Sequence, residues 1–270
     1  MHDLEFPDSF LFKTGERIIP GSVSGEVLSR HYARYVFAAD FCPGGVVLNA
    51  ASGSGYGSEV LLTRAREVYN IDISEQLVAY GNRRYGAHNN HFLTMDAQKL
   101  LFPDRYFDAI VSLETIEHVP DAAAFLTGCA RVLKDDGVLI VSSPNRVMTS
   151  PFSSAPVNRF HVKEWDFDEF DRFTGQQFSL QGAYGQALVP QRKAAQTWSL
   201  AARQRITDAL PGSVFRFVKK NIRHYQDVPW SQVKILDNDV VQPAGRDRFF
   251  PNGDGQAYEV IILVLKKKHF

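Results

Sequence analysis

The 270-residue sequence carries 30 basic and 30 acidic side chains, a formal net charge of zero, with 44% hydrophobic and 22% charged residues. That balance belongs to a globular chain with a well-buried core. With no basic excess, DNA binding is excluded as a reading and RNA binding is disfavoured. The two cysteines, Cys42 and Cys129, follow no metal-ligand spacing, which speaks against a thiolate zinc site and fits a reduced, cytoplasmic setting. The opening MHDLEFPDSF has no apolar core and does not read as a secretory signal. The late apolar run Val260 to Leu265 is too short to span a bilayer.

In chain order, Gly25 to Phe41 predicts a helix within an N-terminal helical cap, residues 1–45. Val46-Val47-Leu48 predicts a buried strand, followed by a glycine-rich turn and a helix from Glu59 to Ala65. Val68 to Ile73 is a second strand, and Ser74 caps a helix running to about Tyr85. His91 to Met95 and Phe107 to Leu113 follow as strands. Asp121 then caps a helix from Ala122 to Leu133, and Val138 to Ser142 is the fifth strand. A loop rich in Ser, Pro and Asn leads to a helix near Glu164 to Phe173, then a strand from Phe178 to Tyr184. Residues 190–225 read as helical, within an insertion over 188–256, and Tyr258 to Leu265 is a closing strand. Strand–helix alternation with continuous apolar strands predicts a mostly parallel, doubly wound α/β sheet with helices on both faces. The expectation is one domain with its cofactor-binding core over 46–145.

The segment VVLNAASGSGYG, Val46 to Gly57, joins a strand to a helix through glycines, the arrangement of a nucleotide-type site. Gly53 and Gly55 are read as letting the backbone approach a ligand. The spacing departs from the GxGxxG dinucleotide fingerprint because Ser58 stands beyond Gly57, which speaks against a dehydrogenase. Asp72 ends the second strand about twenty residues later, where a carboxylate can grip ribose hydroxyls. Helix capping beside Ser74 is the plainer alternative. Asp96 ends the third strand, within reach of an adenine amino group.

These strings, with VYNIDIS, MDAQKLLFPDRYFDAIVSLETIEHV and RVLKDDGVLIVSSPN, resemble the successive motifs of class I S-adenosylmethionine-dependent methyltransferases over about residues 46–145. Within that class the chain is most similar to bacterial small-molecule enzymes of sugar and biosynthetic pathways. The resemblance implies a Rossmann-like, seven-stranded sheet with an antiparallel last strand and a helical insertion before it. It implies S-adenosyl-L-methionine as cofactor, with Asn49, Ala50, Ala51, Gly53 and Gly55 at the methionine portion. Asp72 and Ile73 would serve the ribose side, Asp96 and Ala97 the adenine, and Glu114 the far end. Asn49 stands where the class usually has Asp or Glu, losing a negative charge near the cofactor's ammonium.

The fourth strand runs into Glu114-Thr-Ile-Glu117-His118, at the strand ends where ligands sit in open α/β sheets. Transfer to a hydroxyl needs a proton acceptor, and His118 and His161 are the candidate catalytic bases. The E-x-x-E-H string with a later histidine is similar to small-RNA 3′-end methyltransferases and ubiquinone-pathway O-methyltransferases. By that resemblance Glu114, Glu117, His118 and His161 could hold a divalent metal such as Mg²⁺. Helix-terminus hydrogen bonds and simple packing are the alternative for the same residues. Residues 191–224 are locally basic, with Arg192, Lys193, Arg203, Arg205, Arg216, Lys219, Lys220 and Arg223 against Asp208. A lid for a phosphorylated or nucleotide-linked acceptor, a lipid-facing helix and a solvated charged face all fit that composition. The leading function is methyl transfer to an oxygen, less readily a nitrogen, of a small polar molecule. Metal-assisted RNA-end methylation and a catalytically silent scaffold are the alternatives.

Overall fold

The computed structural model describes residues 18–20, 23, 25–187, 241–244, 249 and 258–268. Strand β1 (Val46–Ala50) lies between β2 (Glu67–Asp72) and β4 (Phe107–Ser112), parallel to both. Beyond them β3 (Asn90–Thr94) pairs with β2 and β5 (Leu133–Pro144) with β4, again in parallel. Antiparallel strands complete the sheet: β8 (Tyr258–Lys267) on β5, β6 (Phe178–Ala187) on β8, and β7 (Gln242–Pro243) on β6. The order is β3-β2-β1-β4-β5-β8-β6-β7. Among the described residues the sheet thus has eight strands where the sequence predicts seven. The extra one is a two-residue pairing with Tyr184 and Gly185, too short to leave a hydrophobic pattern.

Each face of the sheet is covered, because the central strands are apolar on both sides. Val47 packs with Val68, Val111, Ile140 and Ile262 beneath helix α1 (Gly25–Ala39). The neighbouring Leu48 points the other way, toward Ile71, Ile110, Leu139 and the α4 helix (Ala122–Val132). Short polar side chains set where helices begin. Ser74 accepts from the Leu77 N–H at 3.4 Å ahead of α3 (Glu75–Tyr85), and Asp121 accepts from Ala124 at 2.9 Å ahead of α4. Asn145 accepts from the Val147 N–H at 3.3 Å to cap the short α5 (Arg146–Thr149), and Asp166 and Glu169 close a capping box on α6 (Phe167–Thr174).

The helix after the glycine turn, α2 (Ser58–Leu61), stops earlier than the predicted Ala65. Thr63 and Arg64 bond back three residues, to Val60 and Leu61, and the Thr63 hydroxyl also bonds the Val60 carbonyl at 2.7 Å, tightening the turn. The helices expected over 190–225 and the 188–256 insertion as a lid fall outside the described residues, apart from 241–244 and 249. Among the described residues, no helix is long and apolar enough to cross a membrane. The chain winds from β1 outward to β3, then returns to β4 on the other side of β1. Strand ends diverge at that reversal, and the crevice there is where a ligand fits.

Candidate active site

A cavity of about 390 Å³ opens at the carboxyl ends of β1, β2 and β4. One wall is the glycine turn. Gly53 has φ +59°, and a Cβ built on it would meet nothing within 4 Å, so the backbone presents an open edge to the cavity. Gly55 has a different reason. At φ +83° its missing Cβ is replaced by the Phe92 ring, 2.3 Å from where the carbon would stand. It packs the loop against β3 and does not line the cavity. Ala51 also lines the cavity and keeps φ +56° despite its Cβ, a strained conformation held by the surrounding turn.

Asn49 and Ala50 are buried and do not line the cavity. The Asn49 amide donates to Asn70 Oδ1 at 2.9 Å, Asn70 to Asn90 Oδ1 at 2.8 Å, and Asn90 to Ser58 Oγ at 2.9 Å. Tyr35 closes the chain from α1, its hydroxyl donating to Asn49 Oδ1 at 3.2 Å. Each carboxamide donates forward and accepts from behind, which an ionised carboxylate cannot do. The departure at Asn49 therefore belongs to a buried ladder across β1, β2 and β3. Asn49→Asp, which restores the usual acid of the class, is expected to lower stability by about 2 kcal/mol. Urea unfolding checks this, and an unchanged midpoint would remove the ladder's energetic role.

Asp72, 8% exposed, spans the next wall. Its Oδ2 accepts from the Gly53 N–H and its Oδ1 from the Ser74 N–H, both at 2.9 Å. One carboxylate thus braces the glycine turn and the start of α3 while facing the cavity. Ile73, 68% exposed, offers an aliphatic shelf beside Leu77 and Met95. Asp96 is fixed by the Gln98 N–H at 2.9 Å, and Ala97 lies between them on the wall.

At the far end Glu114 lines the cavity with φ +51°, a second strained position. Ser142 holds it twice: its Oγ accepts from the Glu114 N–H and donates to Oε1, each at 2.8 Å. Buried Arg34 approaches Glu114 Oε2 at 3.6 Å. His118 lines the cavity too, and its Nδ1 lies 3.0 Å from the Phe160 carbonyl oxygen. A carbonyl only accepts, so the proton sits on Nδ1 and Nε2 carries the lone pair. His161 stacks edge-on behind it with ring centroids 4.8 Å apart, and is not part of the cavity wall. Glu117, 1% exposed, lies in the same group, and among the described residues its Oε2 has no hydrogen-bond partner. Burial, then the Glu114 charge, push its carboxyl well above the ordinary range. The ligand atoms of Glu117, His118 and His161 fall within 4.8 Å of one another, while Glu114 stands outside the group. Of the four residues the resemblance gives for a metal, three are thus brought together and Glu114 is not.

Some wall residues lie outside the quoted motifs, His31 and Tyr35 on α1 and Phe160 in the loop after β5, while Tyr56 stands inside the glycine-turn motif with no role read for it. Tyr56 Oη lies 3.1 Å from His31 Nδ1. Burial, and then Arg34 and Arg30, hold the His31 imidazole well below its usual range and hence neutral.

Residues 48–141 match the family model described as a methyltransferase domain. A Mycobacterium tuberculosis protein named "Probable S-adenosylmethionine-dependent methyltransferase" is 38% identical over 157 residues, 58% of this chain and 57% of that protein. The match therefore spans little more than half of that relative's length. A ubiquinone biosynthesis O-methyltransferase of Bradyrhizobium diazoefficiens is 31% identical over 46% of this chain and 49% of its own. Among solved structures, the [4+2]-cyclase SpnF is similar in fold at TM-score 0.56 and 17% identity, covering 90% of this chain and 81% of that one. A cyclase on this fold shows that architecture alone does not name a reaction.

Proposed function

We propose that this chain, which carries a class I S-adenosylmethionine-dependent methyltransferase domain at residues 48–141, methylates an oxygen of a small polar molecule such as a sugar or biosynthetic intermediate. Nitrogen is the second choice of acceptor atom. We read the N-terminal cap, the core and the insertion as one domain from the sequence. The cavity fits the cofactor on its own features: the open edge at Gly53, the Asp72 carboxylate and the exposed Ile73 shelf. Ala51, Ser52 and Gly53 would hold the methionine portion, Asp72 the ribose, and Ile73, Asp96 and Ala97 the adenine side. When bound, S-adenosylmethionine supplies an electrophilic methyl group on a sulfonium.

The observation that carries the choice of oxygen is His118. A cavity-wall imidazole with its proton committed to a backbone carbonyl presents a lone pair at Nε2, and a hydroxyl acceptor has a proton to give up. His161 backs that ring from behind the wall. The charge missing at Asn49 favours a silent scaffold, but the ladder explains Asn49 without reference to the cofactor. The zero net charge continues to speak against an RNA-end substrate. A phosphorylated or nucleotide-linked acceptor rests on residues 191–224, outside the described ones.

A metal-assisted version of the same reaction is favoured by the Glu117, His118 and His161 group and by the orphaned Glu117 oxygen. A cation there would clamp two oxygens of a diol acceptor and ease loss of a proton from one. With Glu114 outside, two imidazoles and one carboxylate suit Mn²⁺ or Zn²⁺ better than Mg²⁺. The test is calorimetric titration with S-adenosylhomocysteine, followed by a screen of sugars, nucleotide-sugars, diols and amines with and without Mg²⁺ or Mn²⁺. Saturable binding and a methylated hydroxyl support the reading. Absence of binding overturns methyl transfer, and product from amines alone overturns the choice of oxygen.

A further inference from the structure

Behind the two histidines lies a buried carboxylate, Glu164, 3% exposed. Its Oε2 accepts from the Thr149 and Ser150 hydroxyls, each at 2.7 Å, and its Oε1 lies 2.6 Å from His161 Nδ1. With Oε2 taking both hydroxyl protons, Oε1 is the oxygen left to accept from Nδ1–H. The opposite side of the ring agrees. Asn158 Oδ1 accepts the Phe160 N–H at 3.1 Å, which turns the amide nitrogen toward His161 Nε2 at 2.9 Å. An amide NH₂ only donates, so Nε2 is an acceptor. Two independent contacts thus select one tautomer from the two an imidazole samples in water.

We propose that Glu164 is a positioning residue of the site: with Thr149, Ser150 and Asn158 it holds His161 protonated at Nδ1, so that Nε2 is the ring atom that serves the Glu117–His118–His161 group. This rests on the reading of that group as a working site. Glu164 itself neither lines the cavity nor belongs to the three-residue group. A carboxylate behind a ligating histidine fixes ring orientation and raises the basicity of the far nitrogen. A cation held by the group would take Nε2 in place of the Asn158 amide that now donates to it.

The test uses the full chain. Side-chain ¹H–¹⁵N correlation of its eight histidines, with His161 assigned through His161→Gln, reads the tautomer directly. Mn²⁺ titration by electron paramagnetic resonance reads the group. The intact chain is expected to show His161 with its proton on Nδ1. Glu164→Gln is expected to mix the tautomers and weaken Mn²⁺ binding by about 10- to 100-fold. Glu164→Asp, which keeps the charge, is expected to fall between. S-adenosylhomocysteine affinity should stay within about twofold, as a residue off the cavity wall predicts. Thr149→Val removes one hydroxyl donor and is the milder variant should Glu164→Gln fail to fold; it is expected to move both readouts in the same direction. A proton on Nε2 in the intact chain overturns the proposal, as does a Glu164→Gln variant with unchanged tautomer and Mn²⁺ affinity. An intact chain that ignores Mn²⁺ yet loses its single tautomer in Glu164→Gln sinks the cation reading and supports the positioning role.

Discussion

Alanine at Asp72 is expected to weaken S-adenosylhomocysteine binding by about 100-fold or more, read by calorimetry. The argument begins at the end of β2, where Asp72 faces the cavity with only 8% of its surface exposed. A carboxylate gripping a ribose diol there makes two charge-assisted hydrogen bonds. At roughly 1.5 kcal/mol each their loss amounts to about 3 kcal/mol, or about two powers of ten. The same side chain accepts from Gly53 and Ser74, so alanine also loosens the turn beneath the ligand and the start of α3. Those two effects separate in Asp72→Asn, which keeps one acceptor oxygen and loses the charge. It is expected to bind about tenfold more weakly than the native chain, since about one hydrogen bond's worth of binding is lost. An Asp72→Ala variant that melts normally and binds within tenfold of the native chain would place the ribose elsewhere.

The strands were legible because their residues are buried on both faces. Val46-Val47-Leu48 and Val138 to Ser142 are continuous apolar runs, and Ser74 and Asp121 mark helix starts that the structure confirms by hydrogen bond. The cavity wall was legible where a motif carries it, at Ala51, Gly53, Asp72, Ile73, Asp96, Ala97, Glu114 and His118. What escaped depends on register and on contacts between distant segments. Asn49 pairs with Asn70 across β1 and β2, and only that register turns three separate asparagines into a ladder. Gly55 reads as ligand-facing until Phe92 from β3 is placed on it. Glu164 did leave a trace, the H-x-x-E spacing from His161, but its meaning needs Thr149 and Ser150 from the short helix end before it.

His118→Ala is expected to lower kcat by about 10²- to 10³-fold on a hydroxyl acceptor, with S-adenosylhomocysteine affinity changed less than about threefold. Two imidazoles line the cavity, and their surroundings make them unequal. His31 sits among Arg30, Arg34 and Tyr56, and burial with two nearby cations depresses its proton affinity. A group that resists protonation is a poor base. His118 instead donates Nδ1–H to the Phe160 carbonyl, which stabilises the ring as Nε2 gains a proton. Its backing is His161, whose own partner is the Glu164 carboxylate, so the charge formed on His118 faces a group that already includes an anion. The comparison is therefore His118→Ala against His31→Gln, in one assay, with cofactor binding measured for both. A large loss of kcat in the first and a small one in the second places the proton on His118. The reverse order would move the base to α1, and with it the acceptor to the glycine-turn end of the cavity.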